Sequence, residues 1–488
     1  MSEEILINVM QQEIRVALVE EGVLQELHIE RADHRGIVGN IYKGRITRVL
    51  PGMQAAFVDI GLPRAAFLHI SDIVPFAPNM LEPPEEINQN ISDLVQEQQE
   101  LWVQITKDPL GSKGARITTH LSLPSRYLVY MPDLGRVDLS QRITDEAERE
   151  RLRKLLLAQG VSANEGFIIR TNAEGGQDLN FNTEAIYLRK QWQKVQEQMK
   201  NRRCGDMAYQ DLPLPVRCVR DFSGLRIERV RVDEQQTYEQ IVNFVNEFMQ
   251  GSIAHIDYYQ ENKPIFDLYG IEEEIKNALN AKVPLKSGGY LIIEQTEAMT
   301  TIDVNTGGFV GVRNLDETVF KTNLEAAQTI ARQLRLRNLG GIIVIDFIDM
   351  HNDDHKQQVL TTLEKMLARD SVKTSISQIS ALGLVEMTRK RTRDSLERLL
   401  CESCVVCSGR GAIKSAQTVC YDIFRDIRRH ISAYEGRQYM IIAAQSVIDR
   451  LIDEESETME ALEAQLGSRI RLQVEALYTQ EQYDVVML

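Results

Sequence analysis

The most constraining feature of this chain is a pattern that occurs twice, a short apolar run leading straight into a carboxylate. It appears first as EAMTTIDVNTGG, carrying Asp303, and again as LGGIIVIDFIDM, carrying Asp346. Between them, residues 316–337 place Phe320, Leu324, Ala327, Ala331 and Leu334 on one helical face, and Gly340-Gly341 follow as a stop. Strand, helix, strand in this order predicts a βαβ unit with neighbouring parallel strands. Adjacent strand ends lie about 5 Å apart, so Asp303 and Asp346 can converge. Converging carboxylates repel, and a hard cation with oxygen ligands relieves the repulsion. Mg²⁺ fits, since it keeps several waters and bridges to phosphate. Asn305, on the same strand face as Asp303, is placed to hydrogen-bond a phosphate or orient a water. The competing reading makes Asp303 the start of a turn and Asp346 a helix cap, and spacing alone leaves Asp349 as a rival ligand.

The rest of the chain sets limits on that chemistry. It has 488 residues, enough for several domains, with 43% hydrophobic and 26% charged residues as in a soluble globular protein. No run of about 18 apolar residues occurs, and the start, MSEEILINVMQQEIRV, lacks a basic region followed by an apolar one. A cytoplasmic protein without a membrane partner is expected. The net charge of −15 argues against nucleic acid if taken alone. It is unevenly spread, however. Six acids and no Lys or Arg lie between Phe76 and Glu100, whereas Arg332, Arg335 and Arg337, and Arg389-Lys390-Arg391 with Arg393, form basic runs. Screening confines charge effects to about 10 Å, so a local patch can bind phosphate inside an acidic protein.

Residues 4–30 alternate in two runs around Glu20-Glu21-Gly22, a hairpin signal. Five or so short strands follow in under 90 residues, punctuated by Gly and Pro, and suggest a small barrel of the OB type. Phe57 and Phe67, with Lys107 and Lys113 on a later hairpin, suit stacking on bases and attraction to phosphates; the plainer reading puts both Phe in the barrel core. Strand and charged helix mix from Pro124 to Pro215, and the run GFIIRTNAEGG ends a strand at Arg170-Thr171, where a guanidinium beside a hydroxyl could clasp a terminal phosphate. Strand and helix alternate again from 215 to 278, and 285–400 read as one α/β unit. The six cysteines do not suggest a disulfide framework in such a chain. Three fall within CESCVVCSGRG, where Cys404-x-x-Cys407 and Cys401-x-x-Cys404 both have metal-ligand spacing. A closed zinc site needs four ligands, so the economical solution is two chains giving two thiolates each.

Together, RGIVGNIYKGRITRVLPGMQAAFVDIG, TIDVNTG, NLEAAQTIARQLRLRNLGGIIVIDFIDM and CVVCSGRG resemble the ribonuclease E/G family of bacterial endoribonucleases over essentially the whole chain. The resemblance implies a multidomain α/β (α+β) fold. An S1 barrel of the OB-fold type (36–119) is inserted in a ribonuclease-H-like domain (1–35 and 215–278), with a 5′-phosphate sensor region at 120–214. A deoxyribonuclease-I-like catalytic region (279–400), a zinc-link (401–414) and a small C-terminal α/β domain (415–488) follow. It makes Asp303 and Asp346 Mg²⁺ ligands, in preference to Asp349, with Asn305 beside the scissile phosphate. Cys404 and Cys407 become the zinc pair, Phe57, Phe67 and Lys113 hold RNA with Lys107 nearby, and Arg170, Thr171 and the backbone at Val129 form the 5′-monophosphate pocket. The implied activity is Mg²⁺-dependent hydrolysis of single-stranded, AU-rich RNA to 5′-phosphate and 3′-hydroxyl ends, favouring 5′-monophosphorylated substrates. The implied substrates are ribosomal RNA precursors, notably at the 5′ end of the small-subunit rRNA, and mRNA. The implied assembly is a homodimer sharing Zn²⁺, with pairing of dimers left open. Two departures stand out. Ile60 occupies a position where ribonuclease E has a tyrosine, and Val405-Val406 replace a pair containing proline between the zinc cysteines. Two other classes remain open: a non-catalytic RNA-binding scaffold, and a metal-dependent deoxyribonuclease using the same acids.

Overall fold

The computed structural model describes residues 3–488 apart from 33–35, 74–89, 110–113, 163–164, 177–178, 180, 223–226, 249–252, 308–314, 371, 381 and 432–437. Two compact units divide it, Met1–Leu399 and Leu400–Leu488.

In the first unit, the alternating N-terminal runs form an antiparallel meander of Glu3–Val9, Glu13–Glu20 and Val23–Arg31. Ile227–Val232 then lies parallel to Glu3–Val9, and His255–Tyr258 parallel to Ile227–Val232. One five-stranded sheet thus unites segments far apart in the chain. Its alternating Ile5, Ile7, Val16, Leu18 and Val230 pack against Val219 of the helix Leu214–Phe222 and Ile241 of Gln235–Phe248.

The intervening chain first makes a barrel. Ile41–Leu50, Ala55–Asp59, Ala66–His69, Arg116–Thr118 and Glu100–Lys107 pair in that order, and Glu100–Lys107 closes the ring on Ile41–Leu50. Gly44 leaves room for the side chains inside the barrel, because a Cβ there would lie 2.6 Å from Val58 Cγ1. Met207–Tyr209, which the sequence groups with the following region, adds to the same sheet beside Ile41–Leu50. Next, Leu123–Pro124, Leu128–Tyr130, Phe167–Ile169 and Val137–Leu139 form a small sheet packed on the helices Glu146–Ala158 and Phe181–Met199.

The βαβ expectation holds in the six-stranded sheet. Its order is Lys282–Pro284, Tyr290–Gln295, Met299–Asn305, Gly341–Asp346, Leu384–Arg389, Thr374–Ile379, and only the central pair Met299–Asn305 and Gly341–Asp346 is parallel. The helices Leu315–Leu336 and Asp353–Leu367 cover one face, where Ile302, Val304, Ile343 and Ile345 meet Ala327, Ile330, Leu334 and Leu363. The first helix stops earlier than the glycines suggest. Asn338 takes the left-handed conformation (φ 48°), and its Nδ2 donates to the carbonyls of Arg393 (2.9 Å) and Asp394 (3.0 Å). Asn tolerates that conformation because its side chain can hydrogen-bond nearby backbone.

The opposite side of Leu315–Leu336 accounts for one basic run in a way the sequence did not suggest. Arg335 is buried and pairs with Glu26 at 2.9 Å, Arg332 pairs with Glu274 at 3.1 Å, and Arg337 is buried. This run docks the helix on the N-terminal sheet and is not a phosphate patch. In the second run, Arg389 is buried against Asp370, while Lys390 and Arg391 remain exposed.

The second unit builds a three-stranded sheet in which Tyr439–Ala443 lies parallel to Arg471–Val474 and antiparallel to Tyr483–Met487. Helices Ala416–Ile431, Gln445–Asp453 and Ser456–Leu466 complete its core around Val419, Ile423, Val447 and Leu462. Among the described residues, no helix is long and apolar enough to cross a membrane.

Candidate active site

Alternation along the two parallel strands decides which side chains reach the surface. Ile302 and Val304, like Ile343 and Ile345, point into the core, so Asp303 and Asp346 point to the sheet face opposite the helices. The register pairs Asp303 directly with Asp346. Both carboxylates are exposed, and Asn305 donates from Nδ2 to Asp303 Oδ2 at 2.8 Å. One N–H of the amide thereby orients Asp303, and its second N–H and Oδ1 remain for another partner. Desolvation, followed by the charges of Asp303 and Asp349, pushes the Asp346 carboxyl above its ordinary value. A hard divalent cation would remove this repulsion, so the donor set fits Mg²⁺. Asp349 lies beyond the strand end and contributes charge without sharing the register. Among the described residues, no group of three or more His, Cys, Asp or Glu side chains gathers as a metal cage.

The other predicted residues lie at three further places. On the barrel, Phe57 and Phe67 are cross-strand partners, half-buried, with ring centroids 6.1 Å apart edge to face. Ile60 is fully buried in the barrel core and does not share their surface. Lys107 is exposed at the end of Glu100–Lys107; Lys113 lies outside the described residues.

Arg170 leaves the strand Phe167–Ile169, whose residue Ile168 is paired with Val129. Its guanidinium donates to Ser125 O at 2.5 Å and to Asp221 Oδ1 at 3.1 and 3.2 Å. Thr171 Oγ1 lies 3.2 Å from Ser140 Oγ. Ser125, Ser140 and Asp221 were not singled out from sequence. They come from separate segments, and no local pattern connects them to Arg170.

In the second unit, Cys404 and Cys407 flank a tight turn. Ser408 N donates to Cys404 O at 2.8 Å and Arg410 N to Cys407 O at 2.9 Å, with Ser408, Gly409 and Gly411 at positive φ. The N–H groups of Gly411 and Gly409, then the Cys404 thiol, hold the Cys407 thiol below its ordinary value. A thiol whose anionic form is favoured by backbone N–H groups, beside a second thiol, fits half of a tetrahedral zinc site. Cys401 lies upstream of the turn and is exposed.

The Ribonuclease E/G family model matches residues 122–392, and the model for the RNase E/G thioredoxin-like domain matches 403–488. The chain is 53% identical over 490 residues to Ribonuclease G of Escherichia coli K12, covering 100% of both chains. It is 50% identical to Ribonuclease G of Haemophilus influenzae, covering 99% of both. Ribonuclease E of a Nostoc species is 39% identical over 399 residues, which is 81% of this chain and 57% of that one.

Proposed function

The chain belongs to the ribonuclease E/G family and is an endoribonuclease, and from that premise we propose that it hydrolyses single-stranded, AU-rich RNA at Asp303 and Asp346 with Mg²⁺ as cofactor. The observation that carries this reading is the direct register of the two carboxylates on the open face of the sheet. Asp303 and Asp346 would hold the ion, and Asn305 keeps Asp303 turned toward it. Mg²⁺ chemistry at such a pair lowers the pKa of water and offsets charge on the attacked phosphate. The products are a 5′-phosphate and a 3′-hydroxyl.

Phe57 and Phe67, with Lys107 and Lys113, present the strand from an S1-type barrel. Arg170 and Thr171, supported by the backbone at Val129, receive a 5′-monophosphate, for which the phosphate must displace or share the Arg170–Asp221 pair. Cys404 and Cys407 of two chains share one Zn²⁺ and join a homodimer. The N-terminal sheet is the ribonuclease-H-like part and the six-stranded sheet the deoxyribonuclease-I-like part. Precursors of ribosomal RNA, including the small-subunit 5′ end, and mRNA undergoing decay are the substrates, in the cytoplasm.

The test compares the native protein with Asp303→Asn in Mg²⁺, on one AU-rich RNA carrying a 5′-phosphate or a 5′-hydroxyl, and on DNA of the same sequence. Cleavage of RNA by the native protein alone, faster with the 5′-phosphate, is expected. Equal cleavage by Asp303→Asn would overturn the metal site, and indifference to the 5′ end would overturn the Arg170–Thr171 pocket.

A further inference from the structure

A cleft of about 940 Å³ opens in the first unit where the N-terminal sheet, the barrel and the catalytic sheet meet. In a chain with net charge −15, its lining carries seven Arg or Lys residues against three carboxylates. The cations come from every wall. Arg31 ends an N-terminal strand, Arg64 lies in the loop between the strands of Phe57 and Phe67, Lys107 ends a barrel strand, and Arg391 and Arg398 follow the catalytic sheet. Among the described residues, no carboxylate lies within ion-pair distance of Lys107, Arg391 or Arg398, all of which are exposed.

Arg391 occupies a seat made for it. Its Nε donates to Gly340 O at 2.9 Å, and a Cβ on Gly340 or Gly341 would lie 2.9 Å from its side chain. The two glycines let the guanidinium lie across the start of the strand Gly341–Asp346, with most of its five N–H groups left over. The other end of this strand is Asp346, five residues and about 17 Å away. Between the two ends the open sheet face carries Met299 (36% exposed), Ile342 (49%), Val344 and Thr301, with the exposed Glu294 and Glu386 on the strands to either side. Cations at one end and paired acids at the other, joined by the strip of Met299, Ile342 and Val344, suit an extended polyanion with flat apolar bases.

We propose that this cleft and sheet face form one track for single-stranded RNA, in which Arg391, Arg398 and Lys107 hold phosphates a few nucleotides from the scissile bond. The direction of the track rests on the reading of Asp303 and Asp346 as the cleavage point. The occupant is RNA because the cationic cleft is continuous, along the strip of Met299, Ile342 and Val344, with the paired acids.

The test is binding, measured in Mg²⁺-free buffer without chelator, by fluorescence anisotropy across a range of NaCl concentrations. The proteins are native, Arg391→Ala/Arg398→Ala, Lys107→Ala and the charge-conserving Arg391→Lys. The probe is an AU-rich RNA long enough to span acids and cleft together. Each lost phosphate contact lowers the slope of log affinity against log salt by about 0.7. The double variant should therefore lose roughly 1.4 from its slope and at least about tenfold in affinity at low salt. Lys107→Ala should lose half as much slope and Arg391→Lys very little, and the cleavage defect should fall on KM. Unchanged slopes in both Ala variants would overturn the track, as would stronger competition by an acidic peptide than by RNA. Cleavage by Asp303→Asn would overturn the position of the scissile bond, and the salt slopes would still decide whether the cleft holds RNA.

Discussion

Asp370→Ala gives the sharpest test of how the catalytic strand is held. Arg389 lies directly opposite Gly341, at the start of the strand that ends in Asp346. It is 4% exposed, and its Nε donates to Asp370 Oδ2 at 2.7 Å and its Nη2 to Oδ1 at 3.3 Å. Nη1 reaches Leu339 O at 2.9 Å and Asn338 Oδ1 at 3.2 Å, which ties the strand to the end of the long helix. Removing the carboxylate leaves a guanidinium buried without its counter-charge, which costs about 3–5 kcal/mol. At roughly 2 °C per kcal/mol for a large cooperative unit, the thermal midpoint should fall by about 6–10 °C. Replacing both partners, as Asp370→Leu/Arg389→Met, removes both charges and leaves chiefly the lost bonds to Leu339 and Asn338, about 1 kcal/mol each. The double variant should therefore be more stable than the single one. Calorimetry of the two, with hydrogen exchange in the strand Gly341–Asp346, reads the result directly. A loss below about 1 kcal/mol in Asp370→Ala, or a double variant no better than the single, would refute this reasoning.

Asn305→Ala should slow cleavage about 10–100-fold, with partial recovery at high Mg²⁺, because Asn305 acts by orienting Asp303; a rate insensitive to Mg²⁺ would contradict that role. Cys404→Ser and Cys407→Ser should each reduce zinc from one ion per two chains to none and turn dimers into monomers, as read by elemental analysis and light scattering. Burial, then the Arg393 cation, lowers the His28 pKa to about 4, against the opposing pull of Glu26. As pH falls from about 6.5 to 4, the unfolded chain takes up a proton that the folded chain refuses, so stability drops across that window by on the order of 3 kcal/mol. His28→Gln should flatten the dependence in denaturant titrations.

The paired acids were legible because strand alternation and helix periodicity both act locally, and register followed once one helix joined two strands. The turn at Cys404 and Cys407 was legible because so tight a turn needs glycine at positive φ. Charge runs were less informative. Arg332, Arg335 and Arg337 looked like a surface patch, since the helix pattern shows its apolar face but not what covers the other. The cover is Glu26 and its strand, about 300 residues upstream in the chain. Separation in the chain likewise hid Asp221 and Ser125 from any reading of Arg170, and it parted Arg391 from Lys107, which line one cleft only after three segments have folded together.

The helix Leu315–Leu336 has one side in the catalytic core and another on the N-terminal sheet. Each added residue turns a helix by about 100°, so a single insertion would swing the apolar stripe and the arginine stripe out of place together. Neither side could recover without losing the other. Length changes should therefore fall in the turns on either side of this helix, and the spacing between its two contact faces should be kept wherever this arrangement is inherited.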